Sequence, residues 1–193
     1  MNQAKNKGMK DRIHYLVGVS ILSAIVVVLQ LLGSFIRFGP VSISLVLVPI
    51  VIGAAVYGPG AGAILGGVFG IVVLMQPDTA FFFSISALGT VLTVMAKGIL
   101  SGWLSGLAYR AISAKNSYLA ALTAAIICPI VNTGLFLLGW RLFFWEGIAE
   151  ACGGDALNYI ITVMIGFNFL AEFGVNLFLS PAIPSILRAK RKI

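Results

Sequence analysis

The sequence predicts an all-α membrane protein with six transmembrane helices. Of its 193 residues, 60% are hydrophobic and only 10% are charged, whereas about 25% of residues are charged in soluble proteins. A helical span needs about 20 apolar residues, and the chain has several such runs separated by turn-forming residues. This composition excludes a soluble globular domain, a disordered chain and a secreted disulfide-rich scaffold.

The six helices follow from the apolar runs and from the residues that interrupt them. A polar, basic segment (residues 1–12) precedes the first run, and the turn at Arg37–Pro40 follows it. Pro and Gly mark further helix ends at Gly58–Gly60 and Gln76–Asp78. One integral membrane domain, residues 1–193, is expected to end in a basic tail. The predicted helices are 15–34, 44–57, 61–75, 88–112, 118–139 and 157–187, and the tail is 188–193.

Basic residues in the connections predict that both termini lie in the cytoplasm. Ten of the 13 Lys and Arg residues then fall on the cytoplasmic side, with Arg37 and Arg141 outside and Lys97 within the membrane. An excess of Lys and Arg in cytoplasmic segments is the usual orientation signal. An odd number of spans would put the two basic ends on opposite sides, so six spans fit better than five or seven. The net charge of +7 therefore indicates topology and lipid contact rather than nucleic-acid binding.

Polar residues inside the predicted spans form the candidate ligand site. Lys97 and Glu172 are ionisable, and burying either costs several kcal/mol, so each needs a reason to be there. At about 1.5 Å per residue, Lys97, Asn132 and Glu172 reach similar depths, roughly 20–24 Å from the inner surface. Asn168 and Asn176 lie four residues before and after Glu172, so the three share one helix face.

These polar residues can either bind a small organic ligand or hold helices together. Lys97 offers a cation to a carboxylate or phosphate, the Asn side chains donate and accept, and Glu172 accepts from hydroxyl, amide or amine groups. Aromatic side chains such as Trp140 can supply apolar walls. Alternatively, Lys97 and Glu172 pair with each other and Asn132 joins two helices, as in a structural or assembly protein. A proton relay through Glu172 would indicate a stand-alone carrier. A single intramembrane carboxylate is weak support for it, because such carriers are built from two structural repeats.

No pattern in the sequence predicts catalysis, a cofactor or a metal site. The single histidine, His14, lies at the expected cytoplasmic edge, which argues against a Ser-His intramembrane protease and His-based metal binding. The chain has neither a CxxC pair nor a GxxxxGK[ST] loop, so P-loop hydrolysis of ATP is not expected. Cys128 in a span and Cys152 in a loop are not expected to form a disulfide.

Small residues at four-residue spacing mark two helix faces that permit close approach of another helix. Gly62, Gly66 and Gly70 form one such face in the third helix, where packing within the chain is the expected role. Ser20 and Ala24 form the other, in the first helix. Packing within the chain and docking onto another membrane subunit both remain open for Ser20 and Ala24.

The layout resembles the substrate-binding S components of energy-coupling factor (ECF) transporters, which take up vitamins in prokaryotes. The resemblance covers nearly the whole chain, and its most specific part is a Gly-Pro-x-x-Gly segment after a Pro-containing short helix. It also includes the basic N-terminus, the polar sixth helix and the basic C-terminus. The motifs that carry it are Ser20-xxx-Ala24, Phe38-Gly39-Pro40, Val48-Pro49-Ile50 and Tyr57-Gly58-Pro59-Gly60-Ala61-Gly62-Ala63.

The resemblance implies a non-catalytic subunit in the plasma membrane of a prokaryote that binds one vitamin from outside. It implies docking through Ser20 and Ala24 onto a membrane T component carried by two ATPase subunits, where the family usually has Ala at both positions. Pantothenate suits a lysine opposite asparagine and glutamate, and riboflavin is the close competitor because aromatic residues can stack a flavin ring. The implied ligand contacts are Lys97, Asn132, Asn168, Glu172 and Asn176, with loop residues around Phe38 and Ser42.

Overall fold

The computed structural model describes residues 2–33, 37–38, 41–42, 45–151 and 167–190. Within these ranges the chain forms nine α-helices, one 3-10 helix (Pro77–Thr79) and a two-stranded antiparallel ribbon of β1 (Arg37–Phe38) and β2 (Val41–Ser42). The helices are α1 (Asn2–Gly33), α2 (Leu47–Tyr57), α3 (Pro59–Leu74), α4 (Ala80–Ile85), α5 (Ala87–Ser113), α6 (Ser117–Phe143), α7 (Trp145–Ala151), α8 (Phe167–Leu179) and α9 (Ala182–Lys190).

Three of these helices are long and apolar enough to cross a membrane. They are Gly8–Gly33 within α1, all of α5 and all of α6. The pair Pro59–Leu74 and Pro77–Ile85, bent by 76°, forms a fourth candidate if it is taken as one span. With 11 residues, α2 is shorter than the about 20 that a span requires. The described residues thus form an essentially all-helical membrane protein with three or four candidate spans, fewer than the six predicted.

Local sequence signals explain several helix ends. Ser86 and Asn116 precede α5 and α6, and their side chains accept hydrogen bonds from free backbone N–H groups of the first turns. Gly58 joins α2 to α3 with a φ of 96°, in the left-handed region that glycine adopts without strain. Pro59 is the first residue of α3, where its missing N–H costs nothing.

One prediction about a helix end is wrong in the first half of the chain. α1 begins at Asn2 and not at residue 15, so residues 2–12 of the predicted basic segment form the start of α1 rather than a separate tail. That segment contains no proline, and polarity marks where a span ends rather than where a helix ends. The connection between the predicted helices 61–75 and 88–112 contains the short helix α4.

Two further corrections concern the second half. The segment predicted as a loop after residue 139 contains the last turn of α6 and the whole of α7. The sixth predicted helix, 157–187, is broken between α8 and α9. The break falls at Pro181, because a proline lacks the N–H for the helical hydrogen bond and its ring clashes with the carbonyl four residues earlier. Residues 152–166, including Cys152, lie outside the described part.

The short helix α2 lies in the main hydrophobic core. Leu47, Ile50 and Val51 are at most 1% exposed, in the same buried cluster as Leu65 of α3 and Ala124 of α6. Because α2 is covered by longer helices on several sides, it is apolar along its whole length rather than on one face. The central position of α2 brings α3, α5 and α6 around it.

Glycines on α3 and α5 bring these helices into direct backbone contact. A Cβ on Gly62 would meet the backbone of Gly102, and one on Gly66 would meet the backbone of Gly98. The residue numbers of these pairs rise along α3 and fall along α5, so the two helices are antiparallel. The glycine face predicted in the third helix therefore packs within the chain, against an α5 glycine face not recognised in the sequence.

We expect the substitution Gly66→Ala to lower the free energy of unfolding by about 1–3 kcal/mol, the usual cost of overpacking a tight contact. The matched control is Gly134→Ala in α6, since a Cβ there has no atom within 4 Å. That control should raise stability by about 0.5–1 kcal/mol, because glycine is a poor helix former. Denaturant titration in detergent checks both, and equal shifts of the same sign would disprove the contact.

Candidate functional site

Lys97 lies in the middle of α5, between aromatic rings of two neighbouring helices. Its Nζ is 5.6 Å from the ring centroid of Phe69 on α3 and 5.2 Å from that of Phe136 on α6. Both distances are within the range of a cation–π contact. The two rings stabilise the ammonium group by their faces and leave its N–H groups available to an anionic partner.

Glu172 of α8 is 3% exposed and interacts electrostatically with Lys97. The helix that carries Glu172, α8, packs against α6. The similar depth of Lys97 and Glu172 and their possible pairing stay predictions from the sequence.

One face of α6 carries Asn132, Phe136 and Trp140, spaced four residues apart. Asn132 and Trp140 are 6% and 4% exposed. Within the described residues, the Oδ1 of Asn132 and the Nε1 of Trp140 have no hydrogen-bond partner. A buried polar atom that lacks a hydrogen-bond partner costs about 1–3 kcal/mol. Two such atoms on the α6 face beside Lys97 indicate that a polar partner is missing.

Thr93 lies one turn before Lys97 on α5. Its side chain packs against Gly139 of α6, where no Cβ would fit, and it is 5% exposed. Among the residues described, nothing hydrogen-bonds with its Oγ1. In contrast, Thr90 donates a hydrogen bond to the carbonyl of Ser86 at 2.7 Å, as buried threonines in helices usually do.

Asn176 of α8 supplies another unmet acceptor. Its Nδ2 donates to the carbonyl of Glu172 at 2.8 Å, which fixes the amide orientation. Its Oδ1 is buried and has no partner in the described part of the chain. Asn168 lies one turn before Glu172 in the same helix, but its side chain falls outside the described residues.

An aromatic cluster covers the end of α6 where Trp140 lies. Trp140 stacks edge to face with Trp145 at 5.1 Å, and Phe82 of α4 contacts both Phe144 (5.1 Å) and Phe136 (5.9 Å). Trp140 itself is buried, with 4% of its surface exposed. The cluster shields the polar atoms beneath it from bulk water.

Of the five residues predicted to bind ligand, Lys97, Asn132, Glu172 and Asn176 lie on three helices, of which α6 packs against both α5 and α8. Sequence reasoning missed Thr93 and treated Trp140 as an apolar wall. The one available signal for Thr93 was its spacing of four residues from Lys97.

In the described ranges no group of three His, Cys, Asp or Glu residues can hold a metal ion. The candidate site combines one cation, one carboxyl group and amide, hydroxyl and indole groups that lack hydrogen-bond partners in the described residues. Such a set of groups suits a small polar organic molecule.

The long apolar helices are those of a membrane protein, and residues 14–184 match the family model "ECF transporter, substrate-specific component". The chain belongs to that family, which confirms the assignment made from the sequence motifs. A relative in Lactococcus lactis subsp. cremoris (strain MG1363), the pantothenic acid transporter PanT, is 29% identical over 89% of this chain and 93% of its own length. No solved structure matches the chain significantly.

Proposed function

We propose that this chain is the subunit of an ECF-type importer that captures pantothenate outside the cell. The observation that carries the proposal is that four buried polar atoms, on Thr93, Asn132, Trp140 and Asn176, have no hydrogen-bond partner among the described residues. Helices that are merely held together by polar contacts would satisfy those atoms with each other. A ligand with a carboxylate, an amide and hydroxyl groups would satisfy them instead.

Two considerations favour pantothenate over riboflavin. The relative whose printed name specifies a substrate is a pantothenic acid transporter. Lys97 offers a cation to a carboxylate, which riboflavin lacks. Asn168, Glu172 and Asn176 are proposed to contact the remainder of the ligand together with Asn132. Riboflavin remains the competing substrate for the experiment below.

The arrangement in the membrane forms part of the proposal. Six spans with both termini in the cytoplasm, in a prokaryotic plasma membrane, agree with the ten basic residues that this topology places inside. The aromatic cluster over Trp140 then lies at the outer side, where a ligand arrives. Ser20 and Ala24 of α1 are both exposed, which supports docking onto a T component that two ATPase subunits carry. ATP hydrolysis is assigned to those subunits.

A second function is favoured by one observation. The electrostatic interaction between Lys97 and Glu172 is also what a structural protein would use to join α5 to α8. In that alternative, the site holds no ligand and both residues contribute only to stability. The two functions differ in whether the purified protein binds a vitamin.

We expect the detergent-purified chain to bind pantothenate and to reject riboflavin. Mass spectrometry of small molecules released by heat denaturation should detect pantothenate, and calorimetric titration of the emptied protein should give saturable one-to-one binding. A colourless preparation excludes bound flavin at sight, and a yellow one would replace pantothenate by riboflavin. If no vitamin raises the melting temperature in a thermal-shift screen, the structural alternative is correct.

A further inference from the structure

The polar groups of the site are segregated by their hydrogen-bonding character. Lys97, the indole N–H of Trp140 and the hydroxyl of Thr93 are groups that donate. The Oδ1 atoms of Asn132 and Asn176 and the carboxylate of Glu172 accept. We call the first set the donor end and the second set the acceptor end. The indole and the ammonium only donate, whereas the Thr93 hydroxyl both donates and accepts, so the donor end has more donors than acceptors.

The antiparallel packing of α5 and α6 separates the two ends along the bundle. A Cβ on Gly139 would meet Thr93, and a Cβ on Gly89 would meet Phe143. Residues with higher numbers on α5 therefore lie beside residues with lower numbers on α6. Thr93 and Trp140 are therefore at one level, toward α4. Asn132 lies eight residues before Trp140 on α6, which at about 1.5 Å per residue separates the two levels by ~12 Å. The Nζ of Lys97 lies between these levels, beside Phe136.

Glu172 adds a negative charge on α8, the helix that packs against α6. A ligand carboxylate is repelled by Glu172 and attracted by Lys97. Among the described residues, the Nε1 of Trp140 and the Oγ1 of Thr93 have no hydrogen-bond partner. The carboxylate is therefore placed on the side of Lys97 that faces Thr93 and Trp140.

From this segregation we infer the orientation of the ligand, an inference that rests on the proposed function. The carboxylate of pantothenate lies at the donor end, where it accepts from Lys97, Thr93 and Trp140. Its hydroxyl-bearing end lies at the acceptor end and donates to Asn132, Asn176 and Glu172. Thr93 and Trp140 thus determine selectivity for an acid over the corresponding alcohol.

The test measures dissociation constants for three compounds by calorimetric titration of the purified full chain. The compounds are pantothenate, its alcohol analogue (the carboxylate replaced by a hydroxymethyl group), and an N-acyl β-alanine of the same skeleton without the two hydroxyls. Thr93→Val and Trp140→Phe remove one donor each, and Asn132→Leu removes an acceptor. Thr90→Val is the matched control, because Thr90 already donates to a backbone carbonyl.

Loss of a hydrogen bond to a charged group corresponds to about a tenfold change in affinity. We expect Thr93→Val and Trp140→Phe each to reduce the preference for pantothenate over the alcohol about tenfold, without changing the preference for hydroxylated over non-hydroxylated ligand. Asn132→Leu should reduce the preference for hydroxylated over non-hydroxylated ligand about tenfold. It should leave the preference for pantothenate over the alcohol unchanged. Thr93→Val should not lower the melting temperature of the ligand-free protein, whereas Thr90→Val should lower it and leave both preferences unchanged.

Each other outcome overturns the inference in a recognisable way. If Thr93→Val and Trp140→Phe changed the preference for hydroxylated ligand, and Asn132→Leu changed the preference for pantothenate over the alcohol, the ligand would lie in the opposite orientation. Unchanged preferences in all three variants would mean that these groups do not contact the ligand, although pantothenate still binds. A similar change in Thr90→Val would mean that the effect is not local. If the wild-type chain binds no pantothenate at all, the proposed function itself fails, and the orientation fails with it.

Discussion

Replacement of Lys97 by methionine is expected to weaken pantothenate binding roughly 100-fold or more. Methionine keeps an apolar stem of similar length between Phe69 and Phe136, so the change removes the ammonium group rather than the packing. A buried carboxylate that loses its cationic partner is destabilised by about 3–5 kcal/mol, and every 1.4 kcal/mol corresponds to a factor of ten. Calorimetric titration of the purified variant with pantothenate measures the loss.

The double variant Lys97→Met/Glu172→Gln separates this ligand role from a structural one. If Lys97 only neutralises Glu172, the single variant lowers the melting temperature, the double variant restores it, and ligand affinity follows stability. If Lys97 binds the carboxylate of the ligand, the double variant regains thermal stability but not affinity. Recovery of affinity in the double variant would contradict the proposed contact and favour the helix-joining function.

Tryptophan at Ser20 or Ala24 is expected to abolish uptake while ligand binding stays unchanged. Both positions are exposed on α1 and lie on one face with Leu16 and Val28, which are 60% and 53% exposed. The two small side chains let another helix approach closely between these larger ones. An indole there fills that space without touching the ligand site. Uptake by cells that also contain the T component and ATPases, and pantothenate titration of the purified variants, measure the two effects.

The control is Gly134→Trp, a similar change from small to large at an exposed position of α6 where a Cβ meets no atom within 4 Å. It should leave uptake, copurification with the T component and binding as in the wild type. Equal loss of uptake in this variant would indicate general damage in the membrane rather than a docking face. ATP-independent transport by the chain alone in liposomes under a pH gradient would instead establish a stand-alone carrier.

Several features followed from the sequence because their causes are local. The low charged fraction required a membrane protein, Asn116 placed the start of α6 one residue from its predicted start, and Gly58 marked the turn between α2 and α3. The depth arithmetic predicts that Lys97 and Glu172 lie at one level. The motifs around Ser20 and Gly58–Gly62 were specific enough to identify the family.

Other features were decided by the tertiary structure. Whether a polar atom has a partner depends on what the neighbouring helices present to it, so the unmet groups of Thr93 and Trp140 have no signature in their own helices. The same holds for the α5 glycines, whose role depends on the facing Gly62 and Gly66. The sequence by itself determined the class of protein and the family and predicted most of the polar residues proposed for the site, since composition, periodicity and depth are properties of single segments. Only packing between segments decided which faces meet, and therefore which groups are left for a ligand.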